Sequence, residues 1–321
     1  MLIENQKIYK GSDVENIFFR PEFSGEPAEK LGVRVLFNMP VPTTVQVWSR
    51  PASVLQTFEA GWTGGTDAAR TSKTIEMAKV KAETAFSASD YLSLVYERLA
   101  SSGNVNMADI SGTELEHAET ELLRSAIAEG IRATMWIGDT AGTISTMKTF
   151  DGFLKEIKAG VSASTIKKSA ATIASGKYAD TLFDAAWTQA EADLKAVASE
   201  GNLVYFVSSD VLRSYQTLLN TKSGDAAYRD AMNGRENLCY NGIPVVEVPL
   251  GQYAASMTYG TSFCILTDRR NFVLALNTAD MPGNEVRMWY NPDEMENRQR
   301  AVFLAGTAIL DHKLVSVCIN N

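Results

Sequence analysis

The feature that most constrains the fold of this chain is one long helical pattern, which begins at Ser111 and ends at Gly138. Thr113 and Glu116 fit the capping box, in which a hydroxyl and a carboxylate satisfy free backbone N–H groups at a helix start, and a second pair with this spacing begins at Ser111. Apolar side chains recur at helical spacing on two adjacent stripes, Leu115, Ala118 and Leu122 on one and Leu123, Ile127, Ile131 and Met135 on the other. A helix of roughly 25 residues spans about 37 Å, so we expect a rod that supports its neighbours.

Composition excludes several classes of protein. The 321 residues are 45% hydrophobic and 21% charged, which is a globular composition, and the net charge of −8 argues against binding of nucleic acid through clustered Lys and Arg. Lys167 and Lys168 are expected in a solvated loop. The cysteines are far apart in apolar sequence and predict buried, reduced thiols, at Cys239, Cys264 and Cys318. The start of the chain lacks a secretion signal, and no apolar run reaches membrane-spanning length, so we expect a cytosolic protein without membrane contact.

The first 86 residues predict extended structure. Residues 1–42 contain four prolines and only short apolar pieces, so we expect an arm that lies along this subunit or a neighbour. Alternating apolar and polar residues at 43–50 and 74–86 predict two strands that pair as a long hairpin. The connection between them is rich in Gly, Ser and Thr and holds Phe58 and Trp62. It predicts either a projecting, partner-binding tip or a tip that packs these aromatics on its own body.

The second half of the chain predicts an α+β block at 161–283. The helical spacing from Tyr178 to Ala198 predicts one long helix, and the apolar run at 203–208 predicts a buried strand. Asp210 is expected to cap the next helix, and Asn241-Gly242 predicts a tight turn. Further strands are predicted at 262–268, 271–276, 284–290, 301–310 and 314–319, with the charged run PDEMENRQR between the third and the fourth.

The sequence offers few groups for catalysis or metal binding. Its only histidines are His117, expected on the surface of the long helix, and His312, expected in a turn where Asp311 does not orient it. The motifs of serine hydrolases, zinc proteases, thiol redox proteins and P-loop NTPases are missing, and the histidines and cysteines lack metal-site spacing. We therefore expect no catalytic residue, no cofactor and no metal.

The order of these elements resembles the major capsid protein of tailed bacteriophages, whose Hong Kong 97-like fold is α+β. The likeness rests on the acidic, alanine-rich helix that ends in Gly138 and Asp139, and on the run LVYFVSSDVLRSYQTLL followed by NGIPVVEVP. The resemblance implies an N-terminal arm at 1–42, an E-loop hairpin at 43–86, a peripheral domain at 87–160 with a spine helix at 113–137, an axial domain at 161–283, return strands of the peripheral domain at 284–310 and a C-terminal strand of the axial domain at 311–321.

The resemblance also implies a structural function. The chain would assemble with itself, as hexamers and pentamers, into the icosahedral shell that encloses double-stranded phage DNA, in a virion assembled in the host cytoplasm. No propeptide is expected before the arm, so a scaffolding protein would be separate, and portal and decoration proteins are further candidate partners. Contacts between subunits are expected through the arm and the E-loop, at Phe18, Phe19, Trp48, Phe58, Trp62 and Arg70.

Two other interpretations fit the same sequence. An encapsulin-type compartment shell shares the fold and encloses a cargo enzyme, whereas a cytosolic α+β enzyme with unrecognised carboxylates belongs to another class. Some capsid relatives also join subunits by a Lys–Asn isopeptide bond from the E-loop. The tip here has no lysine, since Lys73, Lys79 and Lys81 lie on the returning strand, so we expect no such cross-link.

Overall fold

Two sheets and one long helix organise the chain. The computed structural model describes residues 7–9, 32–37, 43–48, 55, 57–61, 70–87, 114–169, 179–221, 238–250, 253, 262–277, 286–294 and 296–319. The helices of this part are α1 (Glu114–Ile137), α2 (Phe153–Ser162), α3 (Asp180–Gln189), α4 (Ala192–Val197) and α5 (Ser209–Thr221). The strands are β1 (Lys7–Tyr9), β2 (Arg34–Phe37), β3 (Thr43–Trp48), β4 (Arg70–Ile75), β5 (Ala78–Ser87), β6 (Lys167–Ser169), β7 (Leu203–Ser208), β8 (Cys239–Tyr240), β9 (Ile243–Val248), β10 (Phe263–Asp268), β11 (Phe272–Asn277), β12 (Val286–Asn291), β13 (Glu296–Ile309) and β14 (Val315–Ile319).

The predicted long helix is confirmed as α1, and Gly138 follows its last residue. The second predicted stripe is buried, at Leu123, Ile127, Ile131 and Met135. The N–H of Gly138 donates to the carbonyl of Thr134 at 2.8 Å, which closes the last turn. A Cβ atom at Gly138 would lie 2.2 Å from the carbonyl oxygen of Phe150. The helix ends in glycine because the backbone of the next loop packs directly on it.

The first sheet surrounds the long strand β13. Its order is β1-β12-β13-β11-β2, and β5 pairs with β13 as well. The pieces β1 and β2 of the predicted arm therefore lie at its edges, on this subunit. One face of the sheet, with Phe272, Leu274 and Phe303, packs in the core that holds α1. The other face packs against Ile75, at the base of β4.

The second sheet is buried on both faces at its centre, which explains the continuous apolar runs of its strands. Its order is β6-β14-β10-β7-β9-β8. Phe206 and Phe263 face the core that holds α1, whereas Tyr205 and Cys264 face a second core with α3, α4 and α5. The Trp136 ring of α1 lies 5.2 Å from the Phe206 ring and 6.1 Å from the Phe272 ring of the first sheet. Both sheets therefore share one aromatic core.

The prediction of one long helix from Tyr178 to Ala198 is wrong. The chain forms α3 and α4, because Ala190 adopts an extended backbone with ψ 138°. Apolar spacing continues through this break, and Leu182, Ala186, Ala190 and Leu194 are all buried. Periodicity alone therefore hid the interruption, since both pieces cover the same core.

Three further predictions need correction in detail. Helix α5 begins at Ser209, so Asp210 lies in its first turn, where it accepts hydrogen bonds from the hydroxyls of Ser208 and Ser262. Lys167 and Lys168 are in strand β6, which pairs in parallel with β14, and are not in a loop. Strand β13 begins at Glu296, so the last five residues of the charged run lie in the strand that was predicted to begin at 301. By contrast, the turn at Asn241-Gly242 is confirmed, with both residues at positive φ between β8 and β9.

Strands β10 and β11 are neighbours in sequence but lie in different sheets. The sequence placed both 262–268 and 271–276 in the block 161–283, whereas β10 lies in the second sheet and β11 pairs with β13 and β2 in the first. The short turn between them therefore joins the two sheets. The N–H of Arg270 in this turn donates to the buried Asp268 carboxylate at 2.8 Å, and the Arg270 guanidinium binds the same carboxylate.

The predicted hairpin at 43–86 is confirmed only to Ile75. Strand β3 pairs with β4, so that Trp48 lies opposite Arg70 and Thr43 lies opposite Ile75. Strand β5 then pairs with β13 in the first sheet. The link at Glu76 passes directly over Gly306 of β13, where a Cβ atom would lie 2.3 Å from the Glu76 carbonyl oxygen. This close passage lets the chain change from one sheet to the other.

The cysteines confirm two of the three predicted environments. Cys264 and Cys318 are buried opposite each other on β10 and β14, whereas Cys239 is exposed on β8. All three are free thiols. Burial raises the pKa of Cys318 to about 11 and that of Cys264 well above its usual range. Both groups therefore stay protonated and unreactive.

We expect one thiol in the folded chain to react rapidly with an aromatic disulfide reagent at neutral pH, because only the thiolate attacks. Cys239 should supply it, and all three thiols should react in denaturant. A Cys239→Ser variant is the control and should lose the fast phase. Rapid reaction of two or three thiols in the folded chain would contradict the burial of Cys264 and Cys318.

Candidate inter-subunit surface

The tip of the hairpin exposes large apolar side chains. Phe58 and Leu55 are each 93% exposed, and Trp48 at the outer end of β3 is 61% exposed. Fully burying a side chain of this size contributes about 1.5–3 kcal/mol. These residues contribute little of that energy within the subunit, so the surface is suited to burial by another molecule.

Trp48 and Arg70 form one unit at the outer end of the paired strands. The Arg70 guanidinium carbon lies 4.3 Å from the centre of the Trp48 ring, within cation–π range. The indole N–H of Trp48 donates to the Gln46 side-chain oxygen at 3.2 Å. The pair therefore presents a flat, oriented aromatic surface with an adjacent positive charge.

The sequence named six contact residues, and the structure describes three of them, Trp48, Phe58 and Arg70, all on the hairpin. Phe18, Phe19 and Trp62 lie outside the described residues. Leu55 was missed, because a single leucine in a polar loop carries no pattern. Its position between Pro51 and Gly61, in the same tip as Phe58, was the available signal.

The base of the hairpin has an apolar anchor and a polar one. Ile75 is fully buried against Val273, Ala275 and Ala308 on the outer face of the first sheet, and Val45 of β3, opposite Lys73, packs on the same cluster. Two residues farther out, the Lys73 ammonium donates to Glu156 Oε1 of α2 at 2.7 Å. The two anchors lie on the same face of β4, since alternate residues of a strand point the same way.

Glu156 is the centre of a polar cluster that the sequence did not predict. Its Oε2 accepts from the backbone N–H of Ile309 at 3.0 Å, and its Oε1 lies 3.2 Å from His312 Nε2. The other ring nitrogen of His312 lies 2.9 Å from Thr165 Oγ1. Both ring nitrogens of His312 therefore have a polar partner, and the Thr165 hydroxyl also donates to the Gly160 carbonyl at 3.1 Å. The carboxylate that orients His312 is therefore that of Glu156, which is distant in sequence, and not that of its neighbour Asp311.

A second polar cluster fastens the turn after α1. The Lys155 ammonium lies 2.8 Å from the Asp139 carboxylate and 2.7 Å from that of Asp151. Asp151 Oδ1 also accepts from the backbone N–H of Thr140 at 2.8 Å. Burial acts to raise the pKa of Asp151, and the hydrogen bonds from Lys155 and Thr140 outweigh it and hold that pKa below its usual value. The end of α1 is therefore fixed against α2.

The described residues contain no group of three or more His, Cys, Asp or Glu that could hold a metal ion. The His312 and Glu156 pair lies at the base of the hairpin among backbone and lysine partners. His117 is on α1, and its side chain lies outside the description. None of the helices within the described ranges is long and apolar enough to cross a membrane.

Glu156 predicts a loss of stability in acid. Burial acts to raise its pKa, but hydrogen bonds from His312 and Lys73 outweigh burial and lower the pKa below the ordinary value of 4.5. A carboxyl with a lowered pKa adds stability above its ordinary pKa and loses it as the pH falls through the lowered value. We therefore expect the stability advantage of the natural chain over Glu156→Gln to shrink as the pH falls from about 5 through the lowered pKa.

Urea unfolding of both chains across this range measures the effect. Glu59→Gln, which removes a carboxylate from the exposed tip, is the control. A gap between the natural chain and Glu156→Gln that stays constant with pH would contradict the cluster.

Known structures share this fold. No protein-family model matches the chain, and no curated protein matches its sequence. A chain in the satellite phage P4 procapsid structure, which includes the size determination (Sid) protein, is similar over 99% of this chain and 93% of its own, with 11% identity and a TM-score of 0.62. A chain of Gordonia phage Cozz is similar over 90% of this chain and 84% of its own, with 15% identity and a TM-score of 0.54. A capsid chain of a native GTA particle is similar over 89% of this chain and 87% of its own, with 14% identity and a TM-score of 0.51.

These likenesses confirm, at the level of the fold, the predicted resemblance to tailed-phage major capsid proteins. The chain is a mixture of helices and strands arranged as in phage capsid chains.

Proposed function

We propose that this chain is the major capsid protein of a tailed bacteriophage, a structural protein that assembles with copies of itself into the shell of the virion. The observation that carries the proposal is the exposed apolar tip, with Leu55 and Phe58, on a chain that has a phage capsid fold. Such a surface is stabilised when a neighbouring subunit covers it. The net charge of −8 suits a shell that holds DNA without adhering to it.

The parts of the Hong Kong 97-like fold are assigned within this proposal. Residues 1–42 would be the arm, 43–86 the E-loop, 87–160 the peripheral domain with its spine helix at 113–137, 161–283 the axial domain, 284–310 the return strands and 311–321 the last axial strand. Strand β11 is the exception, because it pairs in the first sheet. The shared core around Trp136 favours rigid attachment of the two sheets to each other.

Assembly would proceed through hexamers and pentamers, with each tip on an adjacent subunit. Contacts between identical subunits that use different patches close by rotation and build rings. Trp48, Phe58 and Arg70 are the proposed anchors among the described residues, and Trp62, Phe18 and Phe19 are proposed from sequence. Double-stranded DNA, a separate scaffolding protein, a portal and decoration proteins are proposed partners, with assembly in the host cytoplasm.

The size of the purified chain tests this function. Expressed alone, it should sediment as capsomers or as closed particles that are visible by electron microscopy. A stable monomer or small oligomer would overturn the proposal and favour a cytosolic enzyme. Neighbouring genes for a portal and a terminase would separate a viral shell from an encapsulin-type compartment.

A further inference from the structure

The hairpin leaves the body of the protein at Lys73. On the face of β4 that turns toward the body, Thr71 is exposed, Lys73 is half-buried and Ile75 is buried. Farther out, the Thr71 hydroxyl donates to the Val47 carbonyl and Arg70 stacks on Trp48, so both make these contacts within the hairpin. Among the contacts of the described residues, the bond from Lys73 to Glu156 is therefore the outermost one that ties β4 to the body.

The acceptor of this bond is fixed independently of the hairpin. The Ile309 N–H donates to one carboxylate oxygen of Glu156, and the imidazole of His312 contacts the other. Thr165 in turn holds His312. The carboxylate therefore has one position, set by α2, β13 and the turn before β14, when the Lys73 ammonium meets it.

The two anchors differ in what they can fix. The contacts of Ile75 and Val45 with the first sheet are apolar and non-directional, so they hold the base of the hairpin but fix its angle weakly. The bond from Lys73 to Glu156 is charge-assisted and forms only at short distance, so it ties one point of β4 to α2. Two strands alone form a weak unit, so the hairpin needs such a bond to point in one direction.

We infer that Lys73 is a positioning residue, whose bond to Glu156 holds the hairpin at one angle to the body, and that the hairpin pivots about the apolar contacts of Ile75 and Val45 when this bond is lost. The device sets where the exposed tip points before any partner is present. It therefore does not depend on the proposed function, and it can be measured in unassembled subunits.

Distances between spin labels test the inference in the full chain. One label is placed on the native exposed thiol of Cys239 and the other on Ser72→Cys, while the buried Cys264 and Cys318 stay unlabelled. The doubly labelled protein with Lys73 intact should give one narrow distribution of distances between the labels. In the same doubly labelled protein, Lys73→Met keeps the length of the side chain and removes its charge. This variant should broaden the distribution of distances about twofold or more.

Two matched variants separate positioning from general loss of charge. Lys79→Met removes an equal charge from an exposed site on β5 and should leave the distribution narrow. Lys73→Arg keeps a cation within reach of Glu156 and should restore most of the narrow distribution. A narrow, unshifted distribution in Lys73→Met would overturn the inference. Should Lys73→Met fail to fold, Glu156→Leu, which leaves Lys73 no acceptor at this position, gives the same decision, since a narrow distribution there would overturn it too.

Discussion

Deletion of residues 54–69 should abolish shell assembly and leave the folded body intact. The described side chains of this tip, Leu55 and Phe58, are almost fully exposed, so their removal takes nothing from either apolar core. We expect the free energy of unfolding to change by less than about 0.5 kcal/mol, as for surface changes. Assembly should fail, because each subunit would lose its apolar contact with a neighbour.

Sedimentation velocity and electron microscopy measure the loss of particles, and urea unfolding measures the body. A shortened connection of Gly and Ser keeps β3 paired with β4. As a milder variant, Leu55→Ser with Phe58→Ser should raise the protein concentration needed for assembly, whereas Glu59→Gln in the same tip should not. Normal shells from the deleted chain would refute the assignment of the tip as an interface. A large loss of stability would show that the tip packs on its own subunit.

Gly138→Ala should destabilise the body strongly, by about 3 kcal/mol, near the upper end of the cost of overpacking. The new methyl group would lie 2.2 Å from the Phe150 carbonyl oxygen and 2.6 Å from that of Thr134. Both atoms are backbone, so neither can turn aside as a flexible side chain would. The Asp139 N–H donates to the Met147 carbonyl at 2.8 Å in the same turn, so the strain would reach the contact between α1 and α2.

Gly130→Ala is the matched control, because it makes the same change in the same helix. A Cβ atom at Gly130 would meet no atom of the described residues within 4 Å, and the residue is exposed on α1. This variant should stabilise the chain by about 0.5–1 kcal/mol, since alanine favours the helix over glycine. Urea unfolding of unassembled subunits compares the two variants. Equal unfolding midpoints would contradict the close packing at Gly138.

The correct predictions share a local cause. Helix α1, strands β7 and β14 and the Asn241-Gly242 turn each carry their signal within a few neighbouring residues, as spacing, capping or turn chemistry. Errors came where two elements shared one local pattern. The apolar spacing ran through Ala190 although the helix did not, and the alternation of the returning strand ran past Ile75 although its partner changed.

The candidate surface was predicted unevenly for the same reason. Phe58 stands out in sequence as an aromatic residue in the glycine-rich connection, and Trp48 as an aromatic residue at the end of the strand before it. Lys73, Glu156 and His312 are far apart in the chain, and each has an ordinary surface interpretation when taken alone. They form a cluster only when the fold brings α2, the hairpin and the turn before β14 together.

The sequence by itself determined helix α1 and its end, strands β7 and β14 and the Asn241-Gly242 turn, because these depend on neighbours along the chain. The tertiary structure alone decided that β10 and β11 belong to different sheets, that Gly138 and Gly306 admit no side chain and that Lys73 holds the hairpin. Each of these depends on distances between atoms that are remote in sequence, which the packing of the whole chain sets.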